Sequence, residues 1–218
     1  MRDLGQLSKR HGSDKESLYH QYAKPYEQYL GSLRHKPIKL LELGIASGAS
    51  IRMWKDYFST ATIYGVDCDL SQSGLVSDRR VKVFELDQTD EAGLTAIADE
   101  SGGFDVIVDD ASHISSKTIA SFKILWPLLK SGGLYVIEDL QTSYDPVHYT
   151  SEEACVDPDG PPLPNGGLTA VQFCKRLVDE VNYDLSGNWT PLQREYWLGY
   201  ELESVQFFNN ICFITKGS

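Results

Sequence analysis

The chain has 218 residues, of which 41% are hydrophobic, and a net charge of −11. That length suits one domain, residues 1–218, with a full core, and is short for two. The negative charge disfavours a polyanion, so nucleic acid is not an expected partner, whereas a neutral or cationic small ligand is. No apolar run reaches the roughly 18 residues of a membrane span. The polar start from Met1 to Asp14 shows no secretory signal. Cys68, Cys155, Cys174 and Cys212 form no CxxC pair, so zinc is not expected. Buried free thiols in a reducing cytoplasm are the natural reading, and the location is expected to be cytoplasmic.

Residues 1–37 read as an N-terminal helical segment. Tyr19, Tyr22, Tyr26 and Tyr29 recur at helical spacing and fall on one face. Before them, His11-Gly12-Ser13-Asp14-Lys15 taken alone reads as a turn and N-cap.

Five apolar runs then follow as strands: Ile38–Leu43, Thr62–Val66, Val81–Leu86, Phe104–Val108 and Leu134–Ile137. Their near-continuous apolar character predicts a parallel sheet buried on both faces. Helices are predicted over Ala49–Phe58, over Glu91–Glu100 with Asp90 as cap, and over Lys117–Lys130. The last would stop at Ser131-Gly132-Gly133, with Pro127 kinking or shortening it. Residues 141–167, rich in Pro, Gly and Asp, predict a lid or substrate loop, and Leu168–Tyr183 a further helix. Val205–Phe208 and Ile211–Thr215 flank Asn209-Asn210 as a hairpin. Alternating β and α elements point to an α/β fold, Rossmann-like. The terminal antiparallel hairpin favours the seven-stranded, mostly parallel sheet of class I methyltransferases over a dehydrogenase.

The first βα turn, Leu41-Glu42-Leu43-Gly44-Ile45-Ala46-Ser47-Gly48, lies where open α/β sheets bind ligands. Its spacing is not GxGxxG, which disfavours a dinucleotide. Asp67 ends the second strand, where an acid can accept both hydroxyls of a ribose. Asp87 and Gln88 end the third strand, on the adenine side, and Asp109 ends the fourth, beside the amino-acid part of such a cofactor. Each acid could instead be a solvated strand end or a helix cap.

Asp110, Glu138 and Asp139 follow two strands that are neighbours in this topology, so they can converge at one rim. Three clustered carboxylates require a cation or bound protons. An all-oxygen set suits Mg²⁺, with Mn²⁺ or Ca²⁺ as alternatives. His113, three residues past Asp110, is a candidate general base, and a structural hydrogen-bonder otherwise. His20 and His148 are weaker candidates for that role and read more readily as surface residues. Tyr19, Tyr22, Trp189, Tyr196 and Trp197 could stack on a sugar, but core or interface packing is the commoner role of such aromatics.

The stretches Leu41-Glu42-Leu43-Gly44, Asp109-Asp110-Ala111-Ser112-His113 and Tyr135–Tyr144 resemble the metal-dependent sugar O-methyltransferases. That family includes macrolide-sugar enzymes of the mycinamicin type and the small enzymes of mycobacterial methylmannose polysaccharide synthesis. Its Gly-Thr-Asp-Lys motif has a counterpart in Gly12-Ser13-Asp14-Lys15, followed by His20 and Tyr22. The resemblance implies S-adenosylmethionine at Gly44, Ser47, Asp67, Asp87, Gln88 and Asp109. It implies magnesium on Asp110, Glu138 and Asp139, His113 as base, and a sugar or oligosaccharide acceptor, as in polysaccharide synthesis. The family's usual oligomerisation makes a homodimer the expectation. The chain departs from the pattern at Ala111, where glycine is frequent, and lacks the large N-terminal domain of the macrolide enzymes. A catechol-type O-methyltransferase and a non-catalytic cofactor-binding module remain as alternatives.

Overall fold

The computed structural model describes residues 2–18, 20–74, 78–144, 168–182 and 199–218. Seven strands form one sheet in the order β3-β2-β1-β4-β5-β7-β6. They are β1 Lys39–Leu43, β2 Thr62–Asp67, β3 Val81–Glu85, β4 Phe104–Asp109, β5 Leu129–Ile137, β6 Leu202–Phe208 and β7 Ile211–Lys216. The first five are parallel, and β7 joins β5 and β6 antiparallel. This is the expected Rossmann-like class, and the strand order switches at β1, between β2 and β4.

Alternation along each strand divides the core in two. Leu41, Leu43, Tyr135, Ile137, Cys212 and Ile214 face one layer. That layer packs on α4 (Glu91–Ser101), α5 (Ser115–Leu125) and α6 (Ala170–Val181). Leu40, Leu134, Val136, Ile211 and Phe213 face the other. There they meet α1 (Leu4–His11), α2 (Ala23–Leu30) and α3 (Ala49–Tyr57). Local chemistry fixes the helix starts. The Asp90 side chain accepts the Gly93 N–H at α4, as the sequence suggests. Thr169 and Gln172 form a reciprocal capping box at α6.

Three boundaries differ from expectation. The helix predicted to reach Lys130 ends at Leu125, because Pro127 supplies no N–H and restricts the residue before it. Ser131-Gly132-Gly133 therefore lies inside β5, which starts at Leu129 rather than Leu134. In the N-terminal segment α2 begins only at Ala23, with Tyr22 at its N-cap position. Cys174 and Cys212 are buried thiols as expected, whereas Cys68 is exposed. The hairpin turns at Asn209-Asn210, with Asn210 in the left-handed region at φ 63°. Most of the predicted loop, together with Tyr19, His148, Cys155, Trp189, Tyr196 and Trp197, lies outside the described residues. Among the described residues, no helix is long and apolar enough to cross a membrane.

Candidate active site

The carboxyl ends of β1, β2, β4 and β5 open onto a cavity of about 380 Å³. One wall is the glycine turn: Gly44, Ile45, Ala46, Ser47, Ala49 and Ser50. The opposite wall carries Asp110, His113 and Asp139, and the residues Gly12, Ser13 and Asp14 also line it. A second cavity of about 140 Å³ adjoins it, sharing Gly44, Asp67 and Ala111, and is lined by Asp87, Gln88, Ser112 and Lys117.

Gly44 sits at φ +79°, and a β-carbon there would fall 2.1 Å from the Asp110 carbonyl oxygen. Only glycine lets the turn after β1 pass this close to the turn after β4. Asp67 braces the same turn. One carboxylate oxygen accepts the Ile45 and Ala46 N–H groups at 2.8 and 2.9 Å, and the other accepts the Asp69 N–H. Burial opposes the charge on Asp67, but these backbone donors outweigh it and hold its pKa below the usual carboxylate value. It lines both cavities.

Asp87 and Gln88 are both in the second cavity, but they differ in character. Asp87 is half exposed and pairs with Lys117 at 2.8 Å; with Thr89, this lowers its pKa to about 2. Gln88 is buried, donating to Ser121 Oγ at 2.9 Å and accepting the Ser112 N–H at 3.1 Å. It thereby anchors the loop that carries His113. Asp109 lines neither cavity. It is buried beside Gln88 and Tyr135, and burial pushes its pKa up to about 7.

Of the expected metal set, Asp110 and Asp139 come together, with His113 rather than Glu138 as the third donor. Donor atoms of Asp110, His113 and Asp139 lie within 4.8 Å of one another, close enough to share an ion. Both His113 (φ 57°) and Asp139 (φ 54°) occupy the left-handed region, a strained backbone that functional sites often hold. The Thr142 hydroxyl lies 2.6 Å from the Asp139 carbonyl oxygen and 3.3 Å from that of His113, tying the two turns together.

Glu138 falls outside that three-donor set and lies deeper. Its Oε1 accepts from Lys15 Nζ at 2.7 Å and also from the Tyr26 hydroxyl. The fully buried Lys15 ammonium further meets Asp110 Oδ2 at 2.8 Å and Glu42 Oε1 at 3.2 Å. Burial alone would lower the Lys15 pKa, but Asp110, Glu138 and Glu42 overcome it and hold the pKa well above the usual lysine value. Burial raises the pKa of Glu138, and its neighbour Asp110 adds to the effect. For Asp139 burial is outweighed by the Tyr22 hydrogen bond and by His113 and His20, and its pKa is lowered.

Read locally, Gly12-Ser13-Asp14-Lys15 is a turn, and the turn is present: Ser17 N–H bonds back to Asp14. What local reading misses is that Lys15 reaches partners 95 and 123 positions away. His20 is likewise corrected from a surface residue. Its Nδ1 lies 2.9 Å from Asp139 Oδ1, and its side chain is only 20% exposed. Tyr22 and Tyr26 are buried as expected of core aromatics, yet their hydroxyls reach Asp139 and Glu138.

Sheet order, glycine turn and acidic rim together define an α/β protein with the class I methyltransferase fold. Its relatives narrow the class. The chain is 34% identical, over 99% of its length, to the 8-demethyl-8-(2-methoxy-alpha-L-rhamnosyl)-tetracenomycin-C 3'-O-methyltransferase of Streptomyces olivaceus. It is 39% identical over 83% of its length to the rhamnosyl tetracenomycin-C 2'-O-methyltransferase of the same organism. The solved structure of MycE, a methyltransferase of the mycinamycin biosynthetic pathway in complex with Mg and SAH, matches with a TM-score of 0.81 at 30% identity. That match covers 99% of this chain and 54% of MycE. The chain spans about half the length of these relatives, 54% and 46% of the two tetracenomycin enzymes. Across that half it is homologous to these sugar O-methyltransferases. No protein-family model matches the chain.

Proposed function

We propose that this chain transfers the methyl group of S-adenosylmethionine to a sugar hydroxyl, aided by a divalent cation. The observation that carries this reading is the pairing of walls in one cavity. A glycine turn braced by Asp67 faces Asp110, His113 and Asp139. The donor chemistry fits a hard cation, because carboxylate oxygens dominate it. Asp110 and Asp139 would hold the ion, with Glu138 as the deeper third carboxylate, and the bound ion would make a hydroxyl more acidic and fix its direction.

The remaining work falls to the chain's own residues. Asp67 would accept the ribose hydroxyls while holding Ile45 and Ala46 against the cofactor. Gln88 and Asp87 would border the adenine. His113, whose Nε2 lies 3.6 Å from Asp139 Oδ2, would take the hydroxyl proton. As the new C–O bond forms, the methyl–sulfur bond breaks and its electron pair stays on sulfur, leaving S-adenosylhomocysteine and a methyl ether. Positioning of the two reactants supplies much of the rate, because the sulfonium is already activated.

The acceptor class follows the relatives, whose names specify rhamnosyl and olivosyl groups. A saccharide of a methylated polysaccharide such as methylmannose polysaccharide is the finer form of the same proposal. The test is an acceptor panel of mono- and oligosaccharides beside catechols, read by mass shift, with and without EDTA. Methylation of a sugar that stops in EDTA and returns with Mg²⁺ is expected. Full activity after exhaustive chelation refutes the metal role, and methylation of catechols alone refutes the acceptor class. His113→Ala should abolish turnover yet keep Mg²⁺ and cofactor binding by calorimetry. Loss of the Mg²⁺ heat in that variant would make His113 a ligand rather than the base.

A further inference from the structure

Four side chains from one short stretch, residues 15–26, converge on the acidic rim, and each meets a particular oxygen. Lys15 takes Oδ2 of Asp110. Lys15 and Tyr26 both take Oε1 of Glu138. The Tyr22 hydroxyl donates to Oδ1 of Asp139 at 2.7 Å, and His20 Nδ1 lies 2.9 Å from the same oxygen. Each carboxylate of the rim therefore has one oxygen committed to the N-terminal segment.

The clamp is itself anchored. Lys15 Nζ donates to Asp110 and Glu138 and forms an ion pair with a third carboxylate, Glu42, at 3.2 Å. The third, Glu42, is fully buried and held by Ser50 Oγ at 2.7 Å and Trp54 Nε1 at 3.1 Å. Lys15 and Glu42 cancel in charge, so the attraction for a cation comes from Asp110, Glu138 and Asp139.

Cations differ in what they ask of a carboxylate. Ca²⁺ takes six to eight oxygens at about 2.3–2.6 Å and commonly grips both oxygens of one carboxylate. Mg²⁺ wants six ligands at about 2.0–2.1 Å, keeps several waters, and is satisfied by single oxygens. A carboxylate with one oxygen tied elsewhere can still give one oxygen but resists giving two.

We propose that Lys15, His20, Tyr22 and Tyr26 restrict the three rim carboxylates to one oxygen each and so select a magnesium-sized cation against calcium. This rests on the reading that these carboxylates hold the cation, and makes the N-terminal segment the determinant of metal choice. The residues position ligands and touch neither substrate nor cofactor in this role.

The experiment is calorimetric titration of MgCl₂ and of CaCl₂ into the whole chain, using wild type, Tyr22→Phe and Tyr26→Phe. Each substitution keeps the buried ring and removes one of the two groups on its carboxylate oxygen, loosening the clamp while Lys15 stays on Glu138 and His20 stays by Asp139. The two act on different carboxylates, so either folded variant carries the test. Wild type should prefer Mg²⁺ over Ca²⁺ by at least tenfold. Each variant should shift the ratio of the two dissociation constants toward Ca²⁺ by about tenfold. An unchanged ratio in the folded variants, or a wild type that binds the two ions equally, overturns the proposal while leaving the metal reading intact. A wild type that binds neither ion refutes the metal reading and this inference with it.

Discussion

Replacing Gly44 with alanine probes the contact on which the site is built. Two costs are separable. The first is conformational: a residue with a β-carbon at φ +79° costs about 1–2 kcal/mol. The second is steric. The new β-carbon would lie 2.1 Å from the Asp110 carbonyl oxygen and 2.6 Å from both the Asp110 carbonyl carbon and Ala111 Cα. Those are backbone atoms, held by the Asp110 N–H bond to the Leu43 carbonyl at 2.9 Å, so no rotamer change relieves the overlap. Forcing β1 and β4 apart here adds roughly 2–3 kcal/mol, as overpacking does in a tight core. Gly132 is the matched control, because it has φ +71° and an added β-carbon there would meet nothing within 4 Å. Gly132→Ala should cost only the conformational part. At about 2–4 °C per kcal/mol for a chain of this size, Gly132→Ala should lower the melting temperature by roughly 3–6 °C and Gly44→Ala by roughly 10–15 °C. Thermal unfolding by circular dichroism measures both. Below its melting temperature Gly44→Ala should also lose the heat of Mg²⁺ binding, since Asp110 has moved. A Gly44→Ala protein that melts with Gly132→Ala and binds Mg²⁺ normally would show that the two turns are not interlocked.

Lys15→Met strips the buried ammonium from contact with Glu42, Asp110 and Glu138, and breaking a buried pair from one side costs about 3–5 kcal/mol. Its melting temperature should fall by roughly 10 °C and recover in part when Glu42→Gln is added, as differential scanning calorimetry would show. Asp109 has a pKa near 7, raised from 3.8 by burial, so on raising pH the unfolded chain loses this proton first. Its contribution to stability is therefore intact below about pH 4, falls between about pH 4 and 7, and stays low above that. The loss approaches about 4 kcal/mol at about 1.4 kcal/mol per pKa unit. Asp109→Asn should remove that slope, and parallel denaturation curves for the two proteins across this pH range would contradict it.

The parts of this molecule that sequence made legible are those whose causes are local. Near-continuous apolar runs placed the five parallel strands, and Asn209-Asn210 marked the hairpin. The one helix end that was misjudged, at Leu125, turned on how strongly Pro127 acts against a persisting apolar pattern, with two later glycines offering a false stop. Strand ends likewise brought Asp67, Asp87, Gln88 and the acidic rim to one edge, because topology alone decides which strand ends are neighbours. Lys15 and His20 followed no such rule. Each lies in a short irregular stretch whose local geometry is satisfied by an ordinary turn, so no periodicity distinguishes it from a surface residue. What identifies Lys15 is an energetic necessity visible only after folding. Glu42, Asp110 and Glu138 converge from the ends of three different strands on one buried ammonium, and such a group cannot stay ionised without a cation among them. The need for that cation could be argued from the strand ends. Under the proposed function, its supply by the chain itself on the inner side would leave the outer oxygens for an external ion, and would make the N-terminal segment part of the site rather than a flank of the fold.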